Sequence, residues 1–241
     1  MTFAATGSFL FANTSALTVN NQGTGNLLLV EVTNNNDNTV FCTGLTGGGA
    51  TWTQVGTAFP STGAAPFPGY AVVFAGKVTA TGAGTVTPSW SGTAPASYEL
   101  DGHEFTSTAG SWALDVQGNL SVASGSDWPS LTPATGGELY FGAAQNNGSA
   151  SAGSTSGYVY SVTPNGNGCA YNVSCPQGAA TFPVWGDTGE VFGVAVLMTE
   201  TGAAPAPYPA QRQAARSRLP RGPYVTGNPG LVYQVSRDGT P

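Results

Sequence analysis

The chain has 241 residues and a mass of 24.2 kDa, enough for one large all-β domain or two small ones whose core needs no metal or disulfide staple. Only 7% of residues are charged, while 40% are hydrophobic and 35 are glycine, a composition that excludes an intrinsically disordered chain and disfavours helices. The net charge of −6 is unevenly spread: residues 1–202 hold Lys77 as their only Lys or Arg against eleven carboxylates, a net of −10, whereas residues 203–241 hold five Arg against Asp238, a net of +4.

An acidic body excludes nucleic acid as its partner, since binding there rests on neutralising phosphates. No apolar run reaches the roughly 18 to 20 residues of a membrane span, so no membrane is expected either. The opening MTFAATGSFLFANTSALTV lacks the basic n-region of a secretory signal, and synthesis in a bacterial cytoplasm is the expectation.

Strand signals then follow in short runs separated by turn clusters. Residues 26–34 (NLLLVEVTN) form the clearest early strand, closed by NNND. Residues 51–56 alternate as a strand should, and 70–80 reads as a long central one. Pro88 in residues 85–91 predicts an edge or a bulge, because proline cannot donate to a ladder. Residues 97–105, 112–118, 137–145, 158–163 and 190–200 complete nine or ten strands, which suits two packed antiparallel sheets. The nearly all-apolar VFGVAVLM should lie mid-sheet. The expected fold is therefore all-β, a jelly-roll-like antiparallel β-sandwich over residues 1–202, followed by an extended arm over 203–241.

Within the body, Glu99, Asp101 and His103 alternate in SYELDGHEF and share one face of a strand. Two carboxylates beside the only histidine suggest a metal or acid/base site, yet too few ligands are fixed for zinc or a hard cation. The face is expected to be a polar, solvent-facing side, with Tyr98, Leu100 and Glu104 opposite. Glu104 would then need loop amides or Lys77 as partner, unless a bulge at Gly102 turns it outward. Gly47, Gly48 and Gly49 lack the Lys-Ser/Thr of a phosphate loop and read as a flexible turn. With no G-x-S-x-G, H-E-x-x-H or C-x-x-C, no enzyme activity, cofactor or metal is expected. Trp52 and Trp112 are assigned to the core, whereas Trp128 and Trp185 in loop-like surroundings are the candidate contacts for a glycan. Cys169 and Cys175 could be joined or free, and Cys42 is expected to be a small buried hydrophobe.

The segment after Gly202 changes character. AAPAPYPAQ favours extended polyproline geometry, QRQAARSRL a turn or two of helix, and PRGPYVTGNPG returns to Pro and Gly. Arg212, Arg216, Arg218 and Arg221 supply bidentate contacts for carboxylates, and Leu219, Tyr224, Leu231 and Tyr233 supply apolar anchors. That pairing favours docking onto an acidic groove of a neighbouring subunit, or of a second copy of the chain in a homo-oligomer, over plain electrostatic tethering.

The order GNLLLVEV, TWTQVG, YAVVFAGKVTATGAGTVTPSWSG, SYELDGHEFTSTAGSWALD, GGELYFGAAQ and VFGVAVLMTE resembles the jelly-roll-like sandwich of minor tail and other accessory virion proteins of phages infecting actinobacteria, which also occurs in bacterial surface proteins. ARSRLPRGPYVTGNPG is similar to the Arg/Pro-rich segments that end many minor tail proteins of those phages. The resemblance implies a virion-located structural or host-recognition component without catalysis, bound to tail or capsid subunits, and a structural role for the pair Glu104-Phe105. The alternatives it leaves are a capsid decoration protein and a carbohydrate-binding or host-receptor-binding module.

Overall fold

The structure, a computed structural model, describes residues 3–13, 15–34, 37, 39–61, 69–107, 109–146 and 150–201, and of residues 122–124, 146 and 187–191 the backbone only. The chain divides into two units, Met1–Ala203 and Ala204–Pro241, and the described residues all belong to the first. They form thirteen strands and no helix: β1 (Ala4–Asn13), β2 (Leu17–Asn21), β3 (Leu27–Asn34), β4 (Cys42–Gly47), β5 (Ala50–Pro60), β6 (Tyr70–Val78), β7 (Gly82–Trp90), β8 (Tyr98–Thr106), β9 (Trp112–Asp127), β10 (Glu138–Asn146), β11 (Val159–Val162), β12 (Gly168–Cys175) and β13 (Val184–Glu200).

The strands make three antiparallel sheets, ordered β1-β8-β3-β6-β5, β11-β12-β10-β13-β9 and β2-β7-β4. Alternation along the strands explains the layering. Leu27, Leu29, Ala71, Val73 and Phe105 of the first sheet pack against Leu139, Phe141, Val194, Val196 and Met198 of the second, which makes the sandwich core. The neighbouring positions Leu28, Val30, Val32, Val72, Phe74 and Leu100 pack on Leu17, Val19, Leu45 and Val86 of the three-stranded sheet. The first sheet is thus the middle of three layers, and all eight residues of β3 are buried. The sequence pointed to two packed sheets; the third forms because Leu17, Val19, Leu45 and Val86 of β2, β4 and β7 cover the apolar outer face of the first.

β13 lies between β10 and β9 with both neighbours paired along it, as its apolar run requires. β7 is the central strand of its sheet, yet its partners take successive halves of it. β2 pairs with residues 82–86 and β4 with residues 86–90, so Pro88 faces Leu45 on one side and no strand on the other. A proline fits there for the same reason it fits an edge.

Gly47, Gly48 and Gly49 form the β4–β5 turn, with φ of 79°, 66° and 61°. The turn is closely held rather than loose: Asn21 Nδ2 donates to Gly48 O at 2.7 Å, and the backbone N of Thr79 donates to Gly49 O at 2.8 Å. A Cβ on Gly48 would sit 2.4 Å from Val86 Cγ2. Gly48→Ala combines that overlap with left-handed backbone strain and is expected to cost about 2 kcal/mol, read as a lower urea midpoint at unchanged m-value.

Candidate functional site

The register of β3 with β8 sets Thr33 opposite Glu99, Glu31 opposite Asp101, Leu29 opposite His103 and Leu27 opposite Phe105. These eight residues share one face, turned toward the second sheet. Moving along it, the face passes from the apolar core at Leu27 and Phe105 to three carboxylates at Glu31, Asp101 and Glu99. The expected solvent-facing side is therefore wrong: Glu31 is 1% exposed, Glu99 and Asp101 2% each, and His103 6%. The opposite face of β8 cannot be the buried side alone, because the three-stranded sheet and the second sheet enclose β8 from both directions.

Glu99 is held by the β11–β12 turn. Asn167 Nδ2 donates to its Oε2 at 2.7 Å, and Asn165 Nδ2 donates to its Oε1. The turn is itself closed, since Thr163 N donates to Asn167 O at 2.7 Å and Thr163 Oγ1 accepts from the backbone N of Asn167 at 3.2 Å. Glu31 accepts from the Thr33 hydroxyl. Asp101 fares worst, with Oδ1 buried and, among the described residues, without a hydrogen-bond partner.

Electrostatics follow from this supply of donors. Burial pushes the Glu31 carboxyl up to about 8, against the lowering effect of the Thr33 hydroxyl and with a further upward push from Glu99. Asp101 is held well above the usual carboxylate range by burial, then by Glu31 and Glu99. Glu31 therefore carries its proton near neutral pH and Asp101 is shifted the same way, which spares the sandwich uncompensated charge. Burial also raises the Cys169 thiol, with Asp101 and Glu31 adding to it.

His103 Nε2 lies 3.0 Å from Ser161 Oγ, and its ring sits among Tyr171 (4.8 Å between centroids), Phe9 (5.3 Å) and Phe105 (6.2 Å). Burial lowers its pKa to about 4, so the ring is neutral. A serine beside a neutral imidazole is half of a nucleophile arrangement, but among the described residues no carboxylate bonds to the other ring nitrogen to orient it. Nor do three His, Cys, Asp or Glu side chains converge, among the described residues, on a point that could hold a metal ion. What this cluster can do chemically is hold and release protons.

No protein-family profile, curated protein or solved structure matches the chain.

Other sequence-derived candidates take different places. Glu104 lies on the face of Leu100, and β8 has no bulge at Gly102, which pairs in register with Val30. Loop amides rather than Lys77 satisfy it: Gln22 N, Gly23 N and Asn26 Nδ2 all donate to its carboxylate. Trp128 and Trp185 are corrected as glycan contacts, because each is 4% exposed and the two rings stack on one another at 4.4 Å. Trp52 and Trp112, assigned to the core, are only half-buried, and Trp112 lines a cleft of about 240 Å³ with Thr51, Gln54, Lys77, Leu114 and Met198. Cys169 and Cys175 are both free and lie in one strand, the first facing the sandwich core and the second packing with Leu131 and Tyr140. Arg212, Arg216, Arg218, Leu219, Arg221, Tyr224, Leu231 and Tyr233 lie outside the described residues.

Glu31, Thr33, Asn165 and Asn167 were not singled out from the sequence. The available signal was Glu31 itself, one carboxylate inside the apolar run LLLVEV, which a fully buried strand must neutralise or pair.

Proposed function

We propose that the chain is a structural protein of a phage virion, of the minor tail type, whose sandwich faces outward and whose Arg/Pro-rich arm binds a neighbouring subunit. The observation that carries this reading is the segregation of charge: one Lys and no Arg in residues 1–202, five Arg in residues 203–241. The all-β body, with exposed positions drawn largely from Thr, Ser, Asn, Gly and Ala, suits a particle surface that must stay soluble with little charge. The sequence resemblance supplies the tail assignment. Binding energy would come from burial of Leu219, Tyr224, Leu231 and Tyr233 and from Arg–carboxylate contacts, multiplied by avidity on the particle.

The body closes on itself before the arm begins, since the backbone N of Thr201 donates to Ser111 O at 2.9 Å. A chain ending at Thr201 is therefore expected to keep the far-ultraviolet β spectrum and the melting transition of the full chain while being lost from assembled particles. Cross-linking of the full chain would identify the captured subunit, a tail protein on this reading and a capsid protein if the chain is instead a decoration protein. Incorporation of the truncated chain at full level would overturn the arm-docking account. The receptor-binding alternative loses Trp128 and Trp185 as contacts and is left with the half-open cleft at Trp112.

A further inference from the structure

β5 and β9 are end strands of the two five-stranded sheets, and they meet along one side of the sandwich. A register break between Val55 and Phe59 puts extra residues into β5, which bring the backbone of Thr57 to Gln117 of β9. Gln117 Oε1 accepts from Thr57 N at 2.8 Å, while its Nε2 donates to Thr57 O at 2.8 Å. A Cβ on Gly56 would lie 2.1 Å from that Oε1, so the clasp requires glycine there. Beside the clasp the two edges part, and the cleft at Trp112, about 240 Å³, opens between them.

The floor of the cleft is apolar: Val55 and Met198 belong to the sandwich core, and Leu114 packs against it. Its rim is polar. Thr51 and Thr53 are exposed, and their hydroxyls form no hydrogen bond among the described residues. Trp112 lines the cleft with Nε1 buried and, among the described residues, without a hydrogen-bond partner, a donor the fold itself leaves unmet. Lys77 stands opposite Thr51 and is the only Lys or Arg of residues 1–202. Among the described residues it pairs with none of the carboxylates of a body whose net charge is −10. The single cation of an acidic body is thus kept free where an indole, two hydroxyls and an apolar floor come together.

We infer that this cleft binds one carboxylated sugar unit, a uronic acid, with its carboxylate on Lys77 and its ring against Trp112. An indole gives the apolar face of a sugar ring a flat surface, and the threonine hydroxyls match the sugar's own. The volume lies below the about 300–1,000 Å³ of sites for drug-sized ligands, which fits one ring. One ammonium matches one negative charge, whereas a phosphate dianion would need more positive charge than an otherwise anionic body supplies. The inference does not depend on the virion reading, because it concerns the body alone.

The test is an NMR titration of the full chain, labelled with a nitrogen isotope and followed at the Trp112 indole N–H, which Trp112→Phe identifies by its loss. Glucuronate is expected to move that signal with a Kd in the millimolar range, glucose to bind about tenfold more weakly, and acetate to leave it in place. Lys77→Gln, at an exposed position that spares the fold, is expected to weaken glucuronate about tenfold, to the level of glucose. An oligogalacturonide that binds more tightly than glucuronate would identify the ligand as a unit of an acidic polysaccharide, and one that binds more weakly would identify it as the free sugar acid. No movement of the Trp112 signal at about 50 mM glucuronate would overturn the site. Undiminished glucuronate binding in Lys77→Gln would overturn it too, by placing the carboxylate elsewhere, as would glucose binding as tightly as glucuronate. Acetate moving the signal as far as glucuronate would leave an anion site with no claim on a sugar.

Discussion

Raising the pH from 6.5 to 8 is expected to lower the melting temperature of the wild-type body by about 5 °C from Glu31 alone, with Asp101 adding in the same direction, and Glu31→Gln or Asp101→Asn each to reduce that fall. Glu31 and Asp101 have folded-state pKa values raised above their unfolded values, Glu31 to about 8. Their stabilising contribution is complete below the unfolded pKa, near 4, and is lost as pH climbs through the folded value, because the unfolded chain ionises freely while the native one holds its protons. His103 runs the other way. Its pKa is lowered to about 4, so its contribution is present above about 6.5 and lost on acidification toward 4.

The three terms give the profile a shape. Between about pH 4.5 and 6.5 the two acids lose stability with rising pH while the histidine recovers part of it, so the fall is shallow. Above 6.5 the histidine is neutral in both states and the fall steepens, easing again near pH 8 as Glu31 itself ionises. In a chain of this size each kcal/mol moves the melting temperature by about 2–4 °C. Glu31→Gln keeps an acceptor for the Thr33 hydroxyl and brings an amide that could serve the orphaned Asp101 Oδ1, so this variant should exceed the wild type at pH 8. A melting temperature flat between pH 6.5 and 8, or an unchanged slope in both variants, would mean that the acids ionise in the folded state.

The shared face of Glu99, Asp101 and His103 was legible from period-two alternation in SYELDGHEF alone. Its direction was not. Alternation reports which residues go together, and solvent is inferred from polarity only while one side of the sheet is open. Here Leu100 packs under β2 and β7 and Glu104 under the β2–β3 turn, while His103 meets Ser161 of β11 and Tyr171 of β12, so polarity on β8 separates two buried environments. The same limit reversed the tryptophans. Trp128 and Trp185 sit in turn-rich sequence, but they stack on each other between the loop after β9 and the start of β13, a long-range pairing with no local signature. β1, β2, β4 and β12 escaped detection: Gly7 sits where the β1 ladder shifts register, Gly44 and Gly47 interrupt the short β4, β2 has only five residues, and the polar Asn172 and Ser174 break the apolar run of β12. The polar turn at Thr163–Asn167 read as loop and is one; that its two asparagines serve a carboxylate on β8 follows only from the fold.

On the other face of β8, Glu104→Ala is expected to cost about 3–5 kcal/mol, a large share of the about 5–15 kcal/mol that holds a typical domain folded. The carboxylate is 3% exposed and accepts from Gln22 N at 3.0 Å on both oxygens, from Gly23 N at 3.3 Å and from Asn26 Nδ2 at 2.6 Å. It therefore fastens the β2–β3 turn to the strand two places away in the sheet order from β6. Alanine leaves two part-buried backbone amides and the buried Asn26 side-chain amide without their acceptor, and an unmade bond at a buried donor carries the desolvation cost in full. Glu104→Gln keeps the volume but sets an NH2 against one of these N–H groups, so a loss of about 2 kcal/mol is expected. Urea titration gives the magnitude, and hydrogen exchange gives the place: the Gln22 and Gly23 amides should lose protection before the β3 ladder does. An unchanged midpoint in Glu104→Ala would show that water replaces the carboxylate at no cost. Glu104 and Glu31 stand on opposite faces of the middle sheet, offset by three residues of strand, roughly 10 Å. The two substitutions should therefore add to within about 0.5 kcal/mol, and a larger deviation would mean that the middle sheet transmits strain from one layer of the stack to the other.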